Sequence, residues 1–485
     1  MNNIALLEPR EVFSIFSEIL KVPRPSKREQ LIRQFILDFA VAHSLESRTD
    51  ALGNVVVVKP ATPGYENHKG IVLQSHMDMV CEKESEKVFD FDTQAIEAYV
   101  EDGWVLSRGT TLGADCGIGM AIQMAVLVST TLCHPALEAL FTVDEEQGLT
   151  GANGLGQDMI TGKWLINLDS EDEGQIYIGC AGGIDTIATF AFNWERTAAQ
   201  SGSTIKVSGL CGGHSGDDIN KGRANANKLL SRVLYHLIDE FPELSLSFIG
   251  GGNLRNAIAR EASCVVCGVA TEQLQPIFDR LYAGFKEEFC ITEPELVMTI
   301  EPLPVMVDRI IPSDVVWRLI DALVAVPHGV IAMSQTLPGM VETSTNLASI
   351  KIQEQNLKSS LVVTTSQRSS LVSGKQYAAD SVLSVFRLAG AEVVTSDGYP
   401  GWKPNISSEL TKLAEEVYIK IFSQQPQVKV IHAGLECGLI LSKHPHMDAI
   451  SVGPTILGAH SPMERLNIKD VVKVWHYLSA LMASL

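Results

Sequence analysis

Ile71-Val72-Leu73-Gln74-Ser75-His76-Met77-Asp78-Met79 is an apolar strand pattern that runs directly into an imidazole and a carboxylate. Short apolar runs of this kind read as buried strands, and ligands of open α/β sheets bind where such strands end. Two further runs finish the same way. Leu137 to Val143 ends in Asp144-Glu145-Glu146, and Trp164 to Leu168 ends in Asp169-Ser170-Glu171. Adjacent like charges raise one another's pKa unless a cation or proton neutralises them, so the repeated clustering asks for a partner. A solvated acidic loop would explain either cluster alone.

Two more segments complete the pattern. Thr110 to Gly119 is a glycine-rich turn that delivers Asp115 to the head of an apolar helix, with an N-cap role as the structural alternative. Its glycines do not follow a phosphate-binding pattern, and Gly-Lys-Ser/Thr is missing. Gly458-Ala459-His460-Ser461-Pro462 offers one exposed imidazole. Two histidines with several carboxylates at strand and loop ends suit two divalent ions bridged by one carboxylate.

Around these segments, Val12, Phe13, Phe16, Ile19 and Leu20 fall on one helical face, as do Leu31, Ile32, Phe35, Ile36 and Phe39. Ser26 and Glu29 are spaced as a capping box for the second helix. Helices alternating with buried strands indicate an α/β layer. From about Gly182 the elements become smaller. Strand and helix patterns between Thr204 and Ile300 follow the order β-α-β-β-α-β, which predicts a ferredoxin-like unit. Near Asp397 to Pro404 the α/β character resumes, so the second domain reads as an insertion.

The chain has 485 residues, enough for two or three folding units. Its net charge of -19 works against non-specific binding to nucleic acid or anionic membranes. The start lacks an export signal and no run is apolar enough to span a bilayer, so a soluble cytoplasmic protein is expected. Nine cysteines do not form a disulfide framework. Cys264 and Cys267 sit in a β-rich run, where positions three apart face opposite sides and cannot pinch one metal.

Together with Gly109 to Asp115, Gly212-Gly213-His214-Ser215-Gly216 and His432-Ala433-Gly434-Leu435-Glu436-Cys437-Gly438, these motifs resemble the M20 family of di-zinc peptidases. Within it they are similar to the aminoacyl-histidine (Xaa-His) dipeptidases, along essentially the whole chain. The resemblance implies an α/β zinc-peptidase domain, a mixed sheet flanked by helices, formed by residues 1–186 and 397–485. Residues 187–396 would be an inserted α+β, ferredoxin-like lid and dimerisation domain. Two divalent ions are implied, zinc first and manganese or cobalt otherwise. Asp115 would bridge them, with His76 and Asp169 on one and Glu146 and His460 on the other. Glu145 would be the general base and Asp78 the residue that orients His76. Strand alternation is expected to send Glu145 and Glu146 in different directions. Cys116 stands where the family often has Asn.

Substrate contacts are implied at His214, Asn256 and Arg368, and more weakly at Glu436. Each has a structural alternative: a plain turn at His214, a backbone bond at Asn256, a surface ion pair at Arg368. The implied reaction is hydrolysis of dipeptides, Xaa-His foremost, by a hydroxide held between the ions. A homodimer through the inserted domain is implied, with His214 reaching the active site of the partner subunit. The rival within hydrolases is N-acyl-amino-acid deacylation. A two-metal phosphatase lacks a basic clamp for phosphate, and a non-catalytic ligand-binding protein would not need both a free base and a full ligand set.

Overall fold

The structure is a computed structural model that describes residues 4–355 and 358–485. The chain divides into two compact units. The first comprises Met1–Cys180, Trp402–Val430 and Leu435–Leu485, and the second Ala181–Gly401 with Ile431–Gly434. The insertion therefore starts and ends a few residues outside the expected 187–396. The strand Gly182–Phe192 belongs wholly to the second sheet, and Tyr399 N–H donates to Gly183 O at 2.8 Å. The return of Ile431–Gly434 splits the motif that carries His432 and Glu436 between the two units.

The first unit is built on an eight-stranded mixed sheet. Its order is Glu46–Thr49, Val55–Lys59, Leu137–Thr142, Ile71–His76, Trp164–Asn167, Asp448–Ser451, Gln175–Cys180 and Gln427–Ile431. Ile71–His76 runs parallel to both Leu137–Thr142 and Trp164–Asn167. All three are buried along their length, as expected for strands covered on both faces. Their polar endings therefore emerge side by side at one edge. Helix Ala114–Val128 is apolar on nearly every side and almost wholly buried.

Helix Arg10–Ile19 buries Val12, Phe13, Phe16 and Ile19, as its spacing predicts. Helix Gln30–Ala42 buries Ile32, Ile36 and Ala40 and leaves Leu31 exposed. No capping box starts it: Ser26 Oγ donates instead to Asp78 Oδ2 at 2.8 Å. A small sheet pairs Ile456–Leu457 with Arg465–Asn467, and Arg465–Asn467 with Trp104–Ser107. It brings the late loop bearing His460 beside the glycine-rich turn.

The second unit holds a nine-stranded antiparallel sheet. One end has the strands Val297–Pro302, Gly202–Ser208, Ala262–Cys267 and Ser245–Gly251 in that order, joined by helices Ala226–Glu240 and Thr271–Glu288. This is the expected β-α-β-β-α-β unit. The sheet then continues through Val341–Gln355, Lys358–Ser369, Gly182–Phe192 and Glu392–Thr395, with Gly329–Met333 on Val341–Gln355. Helices Ser313–Ala325 and Val372–Leu388 join the same apolar core. Periodicity between Thr204 and Ile300 covered less than half of this unit.

Candidate metal centre

His76 is the last residue of its strand and is 1% exposed. Its Nε2 lies 3.0 Å from Asp115 Oδ1 and 3.1 Å from Asp169 Oδ1. The same pattern recurs on the other side of Asp115. His460 Nε2 lies 3.0 Å from Asp115 Oδ2 and 3.1 Å from Glu146 Oε2. Asp115 thus divides its two oxygens between two separate imidazole-carboxylate pairs.

A ring nitrogen carries at most one proton and cannot hydrogen-bond two carboxylates well at once. Among the described residues, Asp169 Oδ1 has no well-formed hydrogen bond beyond its 3.1 Å approach to the shared His76 Nε2, and the buried Glu146 Oε1 has none. Donor atoms gathered round one tetrahedral ion at about 2.0 Å stand about 3.3 Å apart, close to the separations here. Mixed imidazole and carboxylate donors suit zinc, manganese or cobalt. The residues present fit two divalent ions.

Electrostatics point the same way. Burial pushes the carboxyls of Glu145, Asp169 and Glu171 up, and Glu146 up to about 7, with the charge of Asp115 adding to the rise at Glu146 and Glu171. Burial alone would raise Asp115 too, but its hydrogen bonds to His460 and His76 hold it far below the carboxylate range. His76 is raised in spite of burial, by Asp169 and Asp115. His460 is raised by its hydrogen bonds to Asp115 and Glu146. So many buried carboxylates around one pair of imidazoles leave negative charge that divalent ions would balance.

Local structure explains how the side chains are aimed. Strand Leu137–Thr142 stops, Asp144 takes a left-handed conformation at φ 51°, and a single helical turn starts at Glu145. Glu145 and Glu146 therefore leave the backbone from a helical turn rather than a strand end, and a carboxylate oxygen of each stands within 4.8 Å of the other and of a His76 ring nitrogen. Asp78 accepts the N–H of Glu145 on Oδ1 at 3.0 Å and of Glu146 on Oδ2 at 3.2 Å. His76 Nδ1 lies 3.2 Å from the main-chain oxygen of Asp78 and 3.4 Å from its Oδ1. One buried aspartate thereby holds the histidine and the glutamate pair together. The Glu145 carboxylate receives no hydrogen bond from the described residues. Cys116 Sγ donates to Leu168 O at 3.3 Å.

Residues 72–484 match peptidase family M20/M25/M40. The chain belongs to this peptidase family. It is 39% identical to the cytosol non-specific dipeptidase of Escherichia coli, with 99% of each chain covered. The crystal structure of aminoacylhistidine dipeptidase from Vibrio alginolyticus superposes with a TM-score of 0.86 at 41% identity, covering 99% of this chain and 98% of that one. An aminopeptidase from Bacillus cereus shares the fold, with a TM-score of 0.62 at 17% identity over 98% of both chains. The two relatives at 39% and 41% identity are dipeptidases, and peptide-bond hydrolysis is the chemistry of this M20/M25/M40 peptidase.

The second unit of the peptidase gathers other expected residues. Arg368 is 7% exposed, so it is no surface ion pair. Its Nη1 lies 3.4 Å from Tyr399 Oη and its Nη2 3.5 Å from His214 Nε2, while Nε is buried without a partner. No carboxylate within 4.0 Å pairs with it among the described residues. His214 lies 3.2 Å through Nδ1 from Asp217 Oδ2, and it meets Arg368 within one chain. Asn256 is exposed, and its main-chain oxygen accepts from Ser215 N–H at 2.8 Å. Glu436, in the first unit, is fully buried. Its Oε2 takes hydrogen bonds from Gln74 at 2.5 Å and Thr142 at 2.6 Å, so it braces the strand ends.

Three residues of the site were missed in the sequence: Arg24, Glu171 and Glu464. Glu171 stood in a quoted motif without a role. Glu464 follows His460 by four positions, and Arg24 precedes the misread Ser26 by two; neither spacing announces a ligand.

Proposed function

We propose that this peptidase hydrolyses dipeptides, Xaa-His substrates foremost, at a centre of two divalent ions. His76 and Asp169 would hold one ion, Glu146 and His460 the other, and Asp115 both. The observation that carries the reading is the division of the Asp115 oxygens between the two histidines, each at 3.0 Å. Bound there, divalent ions polarise a scissile carbonyl and lower the pKa of water toward about 7. Glu145 would take a proton from the attacking water as the water oxygen bonds to the carbonyl carbon, and return it to the amine nitrogen as the carbon–nitrogen bond breaks. Its carboxylate, half-buried and without a hydrogen bond from the described residues, is free for that role, and burial pushes its carboxyl up from the ordinary range. Asp78 keeps His76 and the backbone of Glu145 and Glu146 in place.

Arg368 is assigned the terminal carboxylate of the dipeptide. A buried guanidinium without a carboxylate partner has two parallel donors to offer. His214, with Asp217 behind it, would stabilise negative charge developing on the carbonyl oxygen. Asn256 is kept as a further contact. Zinc is the first choice of metal. A cytoplasmic location and a homodimer through the second unit belong to the same reading. The name of the Escherichia coli relative and nine cysteines that form no disulfide among the described residues support the location. Sedimentation at several concentrations tests the dimer.

The deciding experiment is a dipeptide panel assayed with metal-free and zinc-restored protein. Release of free histidine only after restoration supports the reading. Faster cleavage of N-acetylated amino acids than of free dipeptides would favour a deacylase instead.

A further inference from the structure

Helix Ala114–Val128 begins without a local side-chain cap. Gly113 occupies the N-cap position, and Asp115 and Cys116 have non-helical φ/ψ of −79°/115° and −98°/33°. The first main-chain N–H groups of a helix have no intrahelical acceptor, and at this helix the residue so exposed is Asp115 itself. Helical hydrogen bonding therefore does not determine where Asp115 points.

A side chain from about 350 positions later supplies what is missing. Glu464, 2% exposed, accepts the N–H groups of Leu112 at 2.8 Å and Gly113 at 2.9 Å on Oε2, and of Ala114 at 2.7 Å and Asp115 at 3.4 Å on Oε1. Arg24, also 2% exposed, grips the opposite side of the turn. Its Nη2 donates to Gly113 O, and its Nη1 to Met77 O at 3.1 Å and Asp78 O at 2.7 Å. The turn is glycine-rich for this reason: a Cβ on Gly113 would stand 2.6 Å from Arg24 Nη2, as would one on Gly117.

We propose that Glu464, opposed by Arg24, is the positioning residue of the metal centre: its carboxylate fixes the direction in which Asp115 presents an oxygen to each histidine. The choice of residue type argues for this. A further anion beside so many carboxylates adds repulsion, which glutamine would avoid. Only a carboxylate, however, offers two oxygens that are acceptors alone. Glutamine would turn an NH₂ toward main-chain donors. Glu464 also lies in the turn that carries His460, its N–H donating to Ser461 O at 3.0 Å. One carboxylate thereby ties the Asp115 turn to the His460 turn, and Arg24 ties it to the strand end of His76. The inference rests on Asp115 being the bridging ligand.

The test compares Glu464→Gln with Glu138→Gln. Glu138 is a buried carboxylate of the same unit that accepts N–H groups from Thr161 at 2.7 Å and Gly162 at 2.8 Å, at the start of its strand and away from the histidines. Zinc affinity is measured on metal-free protein by competition with a chelating dye, alongside Tm, kcat and KM. Glu464→Gln should weaken zinc binding about 10- to 100-fold, the range for groups that orient metal ligands, and lower kcat with little change in KM. Glu138→Gln should lower Tm without moving zinc affinity.

Wild-type zinc affinity in Glu464→Gln, with Tm lowered as in Glu138→Gln, would overturn the proposal and leave a helix cap. Should Glu464→Gln fail to fold, Arg24→Lys carries the test, since it keeps the charge and loses the fork. Unchanged zinc affinity there also overturns it. Asp115→Asn separates the two levels: if it keeps both ions, the ligand assignment itself is wrong. If it loses them while Glu464→Gln keeps them, only the positioning role falls.

Discussion

Replacing Glu145 by Gln should separate catalysis from metal binding more cleanly than any other single change. The two side chains have the same shape, and the Glu145 carboxylate accepts no protein hydrogen bond that the amide would break. Its backbone N–H, which Asp78 Oδ1 accepts at 3.0 Å, is untouched. Burial raises the carboxyl far above its usual range, with the charges of Glu146, Asp169 and Glu436 adding to the rise, so an uncharged isostere relieves repulsion. Thermal stability of the metal-free protein should therefore not fall. What disappears is the proton acceptor, worth roughly 10²- to 10⁴-fold in rate, or about 3 to 5 kcal/mol in the barrier. Metal content by atomic emission should match wild type, while kcat on a Xaa-His dipeptide falls by that factor. Glu146→Gln is the contrast. It disturbs the oxygen 3.1 Å from His460 and should lose the ion held there. Equal metal loss in the two variants, or less than about a tenfold fall in kcat for Glu145→Gln, would refute the division of roles.

Arg368→Ala should lower kcat/KM for every dipeptide by roughly 10²-fold or more, since each of two charge-assisted hydrogen bonds contributes about 1.5 to 3 kcal/mol, yet leave amidated dipeptides nearly unaffected. Full activity on free dipeptides would reassign the carboxylate. Stripping the ions with a chelator should lower the unfolding midpoint and zinc should restore it, because a ligand at about 1,000 times its Kd adds about 4 kcal/mol; an unchanged midpoint in calorimetry would count against a folded-state ion site. His432, 6% exposed, is pushed down to about 4 by burial and then by Arg368. The unfolded chain binds that proton near 6.5, so its contribution to stability is present above that pH and is lost as pH falls from about 6.5 to 4, up to about 3 kcal/mol. His432→Gln should flatten the dependence of the urea midpoint between pH 7 and 4.5, and an equally steep fall in both proteins would remove His432 from the account.

Most of the candidate ligands stand out in the sequence because they sit where a buried strand or an apolar helix begins or ends; His460, in an exposed turn, does not. An apolar run that stops at His76, or at Asp144-Glu145-Glu146, declares a change from core to solvent edge, and parallel strands put such edges together. The parts that were misread lie where a local pattern has a distant partner. Ser26 and Glu29 have the spacing of a capping box, but Ser26 donates to Asp78, 52 positions away. Glu145 and Glu146 look like a strand end, but the left-handed turn at Asp144 starts a helical turn instead. For Arg368, expected as a substrate contact, burial removes the surface ion pair that was its alternative.

By itself the sequence determined which residue types and elements were available: buried strands with polar ends, an apolar helix behind Asp115, a β-α-β-β-α-β run, and histidines and carboxylates at strand and loop ends. Those features follow from periodicity and local composition, which act over a few residues. Tertiary structure alone decided that Asp115 splits its oxygens between His76 and His460, that Glu464 and Arg24 hold its turn, and that residues 431–434 return to the second unit. These depend on buried hydrogen bonds between segments far apart in the chain. A carboxylate taken out of water must find donors wherever packing brings them, and no local spacing encodes which donors those are.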